Sequence, residues 1–207
     1  MAKQIIFDKI DVNSHVSAGS YGNVYRGTEA ETERDVAIKL LKPDAVWSMG
    51  KELLVAKIND QNIVPLHYQR NVSEATPPNL PIQMRIHGCE LHRKDGAHHP
   101  IMCSGDMFDD DIPLKDIRYL VTMWCKGGDL WGWIPKDLDE KTKAHFMKGV
   151  LSGLKSLHEH KPNALLHRDI KPSNILIDEK NIVRLTDFGI VKEVTEEGSS
   201  FLRAGTR

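Results

Sequence analysis

Apolar residues fall in short runs at both ends of this chain and at helical spacing between them. Residues 16–25 read as strand, tight turn, strand, and Val36-Ala37-Ile38-Lys39 is an apolar strand that ends on a lysine. From Pro43-Asp44 a helical pattern runs to about Ile58. Asp44 is its candidate N-cap, and Leu54, Val55 and Ile58 form its buried stripe. Ile82-Gln83-Met84-Arg85-Ile86 alternates as a sheet strand does, and Arg118-Tyr119-Leu120-Val121-Thr122 is a cleaner one. Leu138-Asp139 opens a second helix that reaches about His160. Phe146, Val150, Leu154 and Leu157 make one apolar face there, which Met147 and Leu151 widen. Pro162-Asn163 ends it. Three short runs then follow: Leu165-Leu166, Ile175-Leu176-Ile177 and Ile182-Val183-Arg184-Leu185-Thr186. Each is rich in branched residues, and Asp178-Glu179-Lys180-Asn181 supplies a turn, so the order is strand, loop, strand, turn, strand, loop.

Composition narrows the setting. The chain is 40% hydrophobic and 28% charged with a formal net charge of −1, the profile of an ordinary globular protein with a core of normal size. Near-neutral charge argues against a nucleic-acid binder that relies on a strong positive field. The N-terminal apolar run is too short for a signal peptide, and no stretch approaches the length of a membrane span. Cys89, Cys103 and Cys125 are an odd, sparse set that suits reduced thiols, so the chain reads as cytoplasmic.

The chemistry concentrates on the loops between the last three strands. Asn174 and Asp187 sit where a hairpin brings loop ends together, a suitable place for two oxygen ligands of Mg2+, while Asp169 stands in a separate loop as a proton acceptor. The full strings are His167-Arg168-Asp169-Ile170-Lys171-Pro172-Ser173-Asn174 and Asp187-Phe188-Gly189. Joint and in order, they resemble the catalytic-loop and metal-binding signatures of the protein kinase family, and Lys171 resembles its serine/threonine branch.

That resemblance implies an α+β, two-lobed fold. Residues 1–122 would be an antiparallel-sheet lobe carrying an insertion at about 69–116, residues 123–125 a hinge, and residues 126–207 part of a mainly helical second lobe. It implies transfer of the γ-phosphate of ATP, with Mg2+, to Ser or Thr of a protein substrate. Asp169 would accept the hydroxyl proton, Lys171 steady the phosphoryl group, and Asn174 and Asp187 hold Mg2+. Gly19 and Gly22, free to take positive φ, would let backbone N–H groups approach a phosphate. Ser17 stands where the family has its first glycine. Lys39 would pair with the α- and β-phosphates. A Glu on the first helix should support Lys39; Glu52 is the candidate, although Lys51 falls in the same slot when counted back from Asn62-Ile63-Val64. Thr122 resembles the gatekeeper, and the backbones of Met123 and Cys125 would bind adenine. Val16, Val24, Ala37 and Leu176 would sandwich the base, the alternative for each, and the preferred one without the other motifs, being plain core packing. Asp129 is placed for a ribose hydroxyl or a basic substrate side chain.

Other stretches fit the family less well. Pro77-Pro78, Pro81 and Asp109-Asp110-Asp111 mark residues 69–116 as a polar insertion. His87, Cys89, His92, His98, His99 and Cys103 match no familiar zinc spacing. A metal-binding interaction module centred there is the third reading. Glu193, Thr195, Glu196, Glu197, Gly198, Ser199 and Ser200 resemble an activation loop. Ser199 or Ser200, phosphorylated by an upstream kinase, would pair with Arg168, the alternative being a plain polar tail. Ala204-Gly205-Thr206 resembles the start of the substrate-facing loop, and no Ala-Pro-Glu follows before Arg207. The expectation is therefore a complete nucleotide cleft with an incomplete peptide platform. The runner-up reading is a pseudokinase or nucleotide-binding scaffold.

Overall fold

The computed structural model describes residues 5–7, 10–45, 47–71 and 118–194. Outside them lie the strand expected at 82–86, the acidic run at 109–111, the six His and Cys residues of the expected insertion, Ser199, Ser200 and the 204–206 segment. The chain divides into two compact units, residues 1–46 with 67–122 and residues 47–66 with 123–207.

Among the described residues the first unit holds a six-stranded sheet in the order β1-β2-β3-β4-β6-β5. The strands are β1 (Ile5–Phe7), β2 (Ile10–Ala18), β3 (Gly22–Glu29), β4 (Asp35–Leu41), β5 (Leu66–Asn71) and β6 (Arg118–Met123). β1 through β4 pair antiparallel. Alternation along β4 buries Val36, Ile38 and Leu40, which pack with Ile10, Tyr25, Tyr119 and Val121. The other face of β4 therefore carries Ala37 and Lys39.

Two expectations change in this region. Residues 43–45 form a 3-10 turn that includes Asp44, and the helix proper, α1 (Trp47–Val55), ends three residues before Ile58. Val55 is buried, while Leu54 and Ile58 are half-buried against the core of the second unit.

In that second unit, α2 (Glu140–His158) begins as its sequence requires. The Asp139 side chain accepts the Thr142 N–H at 2.7 Å, and that bond holds the Asp139 carboxyl below its usual range. Phe146, Val150 and Leu157 are buried and Leu154 half-buried, whereas Met147 and Leu151 are each 59% exposed, so the packed stripe is narrower than the apolar one. Three further pieces follow: β7 (Ala164–Leu166), the antiparallel hairpin β8 (Ile175–Ile177) and β9 (Val183–Leu185), and β10 (Lys192–Val194), which pairs with β7. Glu193 thus lies in a strand rather than in a loop. Among the described residues no helix is long and apolar enough to cross a membrane.

The loop after α1 is gripped from two sides. Ser156 Oγ donates to Asp60 Oδ2 at 2.6 Å, and the Asn62 side chain donates to the Val183 carbonyl at 2.8 Å. Leu185 N–H donates to the Asn62 carbonyl and Val64 N–H to the Leu185 carbonyl, so residues 62–64 run along β9. A Cβ on Gly153 would lie 2.8 Å from the Asn62 carbonyl oxygen, which is why α2 can approach this loop so closely.

Candidate active site

In the second unit, β7 delivers the chain into residues 167–174, and a 3-10 turn, Pro172–Asn174, returns it to β8. His167 is 2% exposed. Its Nε2 lies 3.0 Å from the Thr186 carbonyl and its Nδ1 accepts the Asp169 N–H at 3.3 Å, so Nε2 carries the proton. Burial lowers the His167 pKa and favours this neutral form. The Phe188 ring lies against the imidazole at a centroid distance of 5.1 Å. One side chain thereby ties the loop bearing Asp169 to the loop bearing Asp187.

Asp169, Lys171 and Asn174 are brought together. Lys171 Nζ donates to Asp169 Oδ2 at 2.7 Å, and Asn174 Nδ2 donates to the same oxygen and to the Asp169 carbonyl, both at 2.9 Å. The Lys171 hydrogen bond is the main reason the Asp169 carboxyl sits below its usual range; burial opposes it and Asn174 adds to it. Asp169 is therefore an ionised, oriented acceptor. Arg168 (φ 71°) and Asp187 (φ 62°) occupy the left-handed region, uncommon for non-glycine residues and frequent at functional loops.

Asp187 is positioned by the hairpin. Ile175 faces Leu185 across the β8–β9 ladder, and Thr186 N–H donates to the Asn174 backbone carbonyl at 3.1 Å. Asn174 thus stands at the entrance of the hairpin and Asp187 just past its exit. With its amide nitrogen turned to Asp169, Asn174 offers its side-chain carbonyl oxygen, a hard donor like the Asp187 carboxylate. Among the described residues no group of three or more His, Cys, Asp or Glu gathers as a metal cage. One amide and one carboxylate suit Mg2+, which keeps waters and substrate oxygens for its remaining positions. Glu52 of α1, rather than Lys51, reaches this loop: its Oε2 accepts the Phe188 N–H at 3.2 Å.

Sequence reasoning passed over three supporting features here. Asp178 and Arg184 brace the β8–β9 hairpin, Asn62 holds β9, and the Trp133 indole donates to the Gly127 carbonyl at 2.9 Å while meeting Phe146 edge-on. The one available signal was Asp178 opening a four-residue turn. Asp129 has a local task as well: its Oδ1 accepts the Gly132 N–H at 3.1 Å and caps the 3-10 turn Leu130–Trp133. Met123 N–H donates to the Pro65 carbonyl and the Cys125 carbonyl accepts the Gly128 N–H. Cys125 is a free, buried thiol whose pKa burial pushes up to about 12. Leu176 is half-buried.

The first unit presents Val24, Ala37 and Lys39 on one face, while Val16 lies in a register shift of β2. The ladders set Ser17 opposite Val24 and Val24 opposite Lys39, so these three share the face of the sheet that carries Ala37. Val16 is 46% exposed and Val24 and Ala37 half-buried, which is not plain core packing. The glycines correct an expectation: among the described residues only Gly128 has a glycine positive φ, so neither Gly19 nor Gly22 uses one. Gly22 is required by crowding, since a Cβ there would lie 2.2 Å from the Leu40 carbonyl oxygen. The turn closes through Gly19 N–H to the Gly22 carbonyl at 2.8 Å, and the Tyr21 carbonyl accepts the Lys42 N–H at 3.0 Å.

Comparison with known proteins agrees with this geometry. Residues 79–207 match the protein kinase domain family. The chain is 26% identical over 196 residues to CBL-interacting serine/threonine-protein kinase 16 of Arabidopsis thaliana, covering 94% of this chain and 34% of that protein. It is 27% identical over 207 residues to ribosomal protein S6 kinase 2 beta of Xenopus laevis, covering 98% and 30%. Serine/threonine-protein kinase STY17 of Arabidopsis thaliana is 26% identical over 203 residues, covering 98% and 29%. The chain spans about a third or less of the length of these curated relatives. A match over more than half its length, with the ordered loops built as described, means that this chain belongs to the protein kinase family.

Proposed function

We propose that this chain is the nucleotide-binding and catalytic part of a serine/threonine protein kinase, moving the γ-phosphate of ATP to Ser or Thr hydroxyls of a protein substrate. One observation carries the reading: an ionised Asp169 carboxylate fixed by both Lys171 and Asn174 at the mouth of the hairpin that ends in Asp187. Asp169 orients the substrate hydroxyl and takes its proton. Lys171, already at Asp169, steadies the transferring group, and Asn174 and Asp187 supply the oxygens that hold Mg2+. When bound, Mg2+ neutralises charge on the phosphate oxygens. Most of the rate enhancement from such a site comes from positioning and electrostatics.

For the nucleotide, Lys39 takes the α- and β-phosphates with Glu52 in support, and Gly19 and Gly22 bring backbone close to phosphate. Val16, Val24, Ala37 and Leu176 cover the base. Met123 N–H and the Cys125 carbonyl have partners within the second unit, so the Met123 carbonyl and the Cys125 N–H are the groups assigned to adenine. Asp129 is assigned the ribose. The similarity to proteins named serine/threonine kinases, together with Lys171, supports Ser and Thr as acceptors. The test is incubation of the purified chain with γ-labelled ATP, Mg2+ and a general protein acceptor, followed by phosphoamino-acid analysis. Label on Ser and Thr is expected; label on Tyr alone, or none, contradicts the reading.

A further inference from the structure

The strand that follows Asp187 is closed onto the strand that feeds the catalytic loop. β10 meets β7 over only three residue pairs: Lys192 with Leu166, Glu193 with Leu165 and Val194 with Ala164. A two-stranded ladder of that length is marginal without support. At its inner end Val191 is 1% exposed and its N–H donates to the Phe188 carbonyl at 3.0 Å. At its outer end a side-chain bond crosses 30 residues of sequence: Asn163 Nδ2 donates to Glu193 Oε1 at 2.8 Å. Asn163 is itself held, since its carbonyl lies 3.1 Å from His160 Nδ1 behind the end of α2.

We propose that Asn163 and Glu193 are a latch, a positioning pair that sets how often β10 lifts from β7 and so how firmly Asp187 is held. Asp187 keeps a left-handed backbone that its surroundings must impose. Upstream, the β8–β9 ladder and the Thr186–Asn174 bond impose it; downstream, Val191 and β10 do. Val194, the last residue of β10, follows Glu193, whose carboxylate oxygen accepts the Asn163 bond; a bond to an ionised acceptor is strong for its kind. Loss of the latch leaves the downstream closure to Val191 and the bare three-pair ladder. The latch stands on these contacts; only its effect on nucleotide handling rests on the proposed role of Asp187.

Trypsin reads the latch directly, because Lys192 is exposed as a side chain but protected as backbone within β10. Cleavage after Lys192 follows the opened fraction when reclosing is fast. In the 207-residue chain without nucleotide, Asn163→Ala and Glu193→Ala should each speed that cleavage about five- to tenfold. The double variant should be no faster than the faster single one. Glu193→Gln, which keeps the accepting oxygen, should stay within about twofold of wild type. Unchanged rates, additive effects, or a Gln variant as fast as Ala would overturn the latch, as would an equal rise at Lys155 and Arg184, which reports general unfolding. In a transfer assay the two alanine variants should raise KM for Mg·ATP more than they lower kcat. Faster cleavage with an unchanged KM would sever the latch from Asp187, and an inactive wild type would overturn the kinase reading while leaving the cleavage result standing.

Discussion

Replacing Asp178 by Asn keeps the shape of the β8–β9 turn and removes one charge. In the native chain Arg184 Nε and Nη2 donate to Asp178 Oδ2 at 3.0 and 2.8 Å, and Arg184 Nη1 donates to the Gln61 carbonyl at 2.8 Å. Asp178 Oδ1 accepts the Lys180 and Ile182 N–H groups. The side chains are only 14% and 6% exposed, so the guanidinium would lose its counter-charge in a place water barely reaches. Breaking one side of a buried pair costs roughly 3–5 kcal/mol; the Gln61 contact remains, so about 3 kcal/mol is expected. Asp178→Ala also strands two backbone N–H groups and should cost about 2 kcal/mol more. Against a total stability of about 5–15 kcal/mol, both are large fractions. In urea, with a slope of about 2–3 kcal/mol per molar, the Asn variant should unfold about 1 M earlier. Acid supplies a second readout. Burial works against the Asp178 carboxylate, but the Ile182 N–H, Arg184 and the Lys180 N–H outweigh it and hold its pKa below the usual range. A depressed carboxylate contributes stability above its unfolded pKa, near 3.9, and loses it as pH falls through the folded value. The gap between wild type and Asp178→Asn should thus be full at neutral pH and close below about pH 4. A midpoint shift under about 0.2 M at neutral pH, or a gap that persists in strong acid, would show that the Asp178–Arg184 pair does not brace the hairpin.

Gly22→Ala should destabilise by about 1–3 kcal/mol, measured by thermal unfolding, because its Cβ meets the Leu40 carbonyl oxygen; a neutral result would show that β3 can shift. Asp187→Asn should weaken Mg·ATP binding by about tenfold or more in a titration while leaving the urea midpoint near wild type, consistent with a lost charged ligand. His167, buried with its pKa pushed below the ordinary 6.5, binds its proton more weakly folded than unfolded. Stability from His167 should therefore fall as pH drops from about 6.5 toward its folded pKa. Urea midpoints of wild type and His167→Phe should converge over that range, and parallel curves would contradict it.

Much of the second unit could be read from the letters because its signals are local. Short branched runs between turn formers give β7, β8 and β9, and Asp139 before a 3.6-period stripe gives α2. Other features depend on neighbours distant in sequence. α1 stops at Val55, where the chain turns into the loop gripped by Ser156 and β9, although Ile58 continues the apolar spacing. Gly22 looked like a turn glycine, but its constraint is a strand passing behind it. The choice between Lys51 and Glu52 as the residue facing the Asp-Phe-Gly loop needed the Phe188 N–H, 136 residues away. Asp169, Lys171 and Asn174 were nameable by their resemblance to the kinase catalytic loop, whereas the imidazole that fixes them was visible only once burial and both ring contacts were known. Met147 and Leu151 show the limit of periodicity, which finds an apolar stripe but not the part of it that is covered.

The most direct test of the central claim is Asp169→Asn measured twice, by ATP binding and by phosphoryl transfer. The side chain keeps its size and position beside Asn174 but loses the ionised oxygen proposed to receive the proton. Binding should stay within about twofold of wild type, while transfer falls by about 10²- to 10⁴-fold, the range for a positioned proton acceptor. Equal losses in both measurements, or transfer at the wild-type rate, would contradict the role given to Asp169.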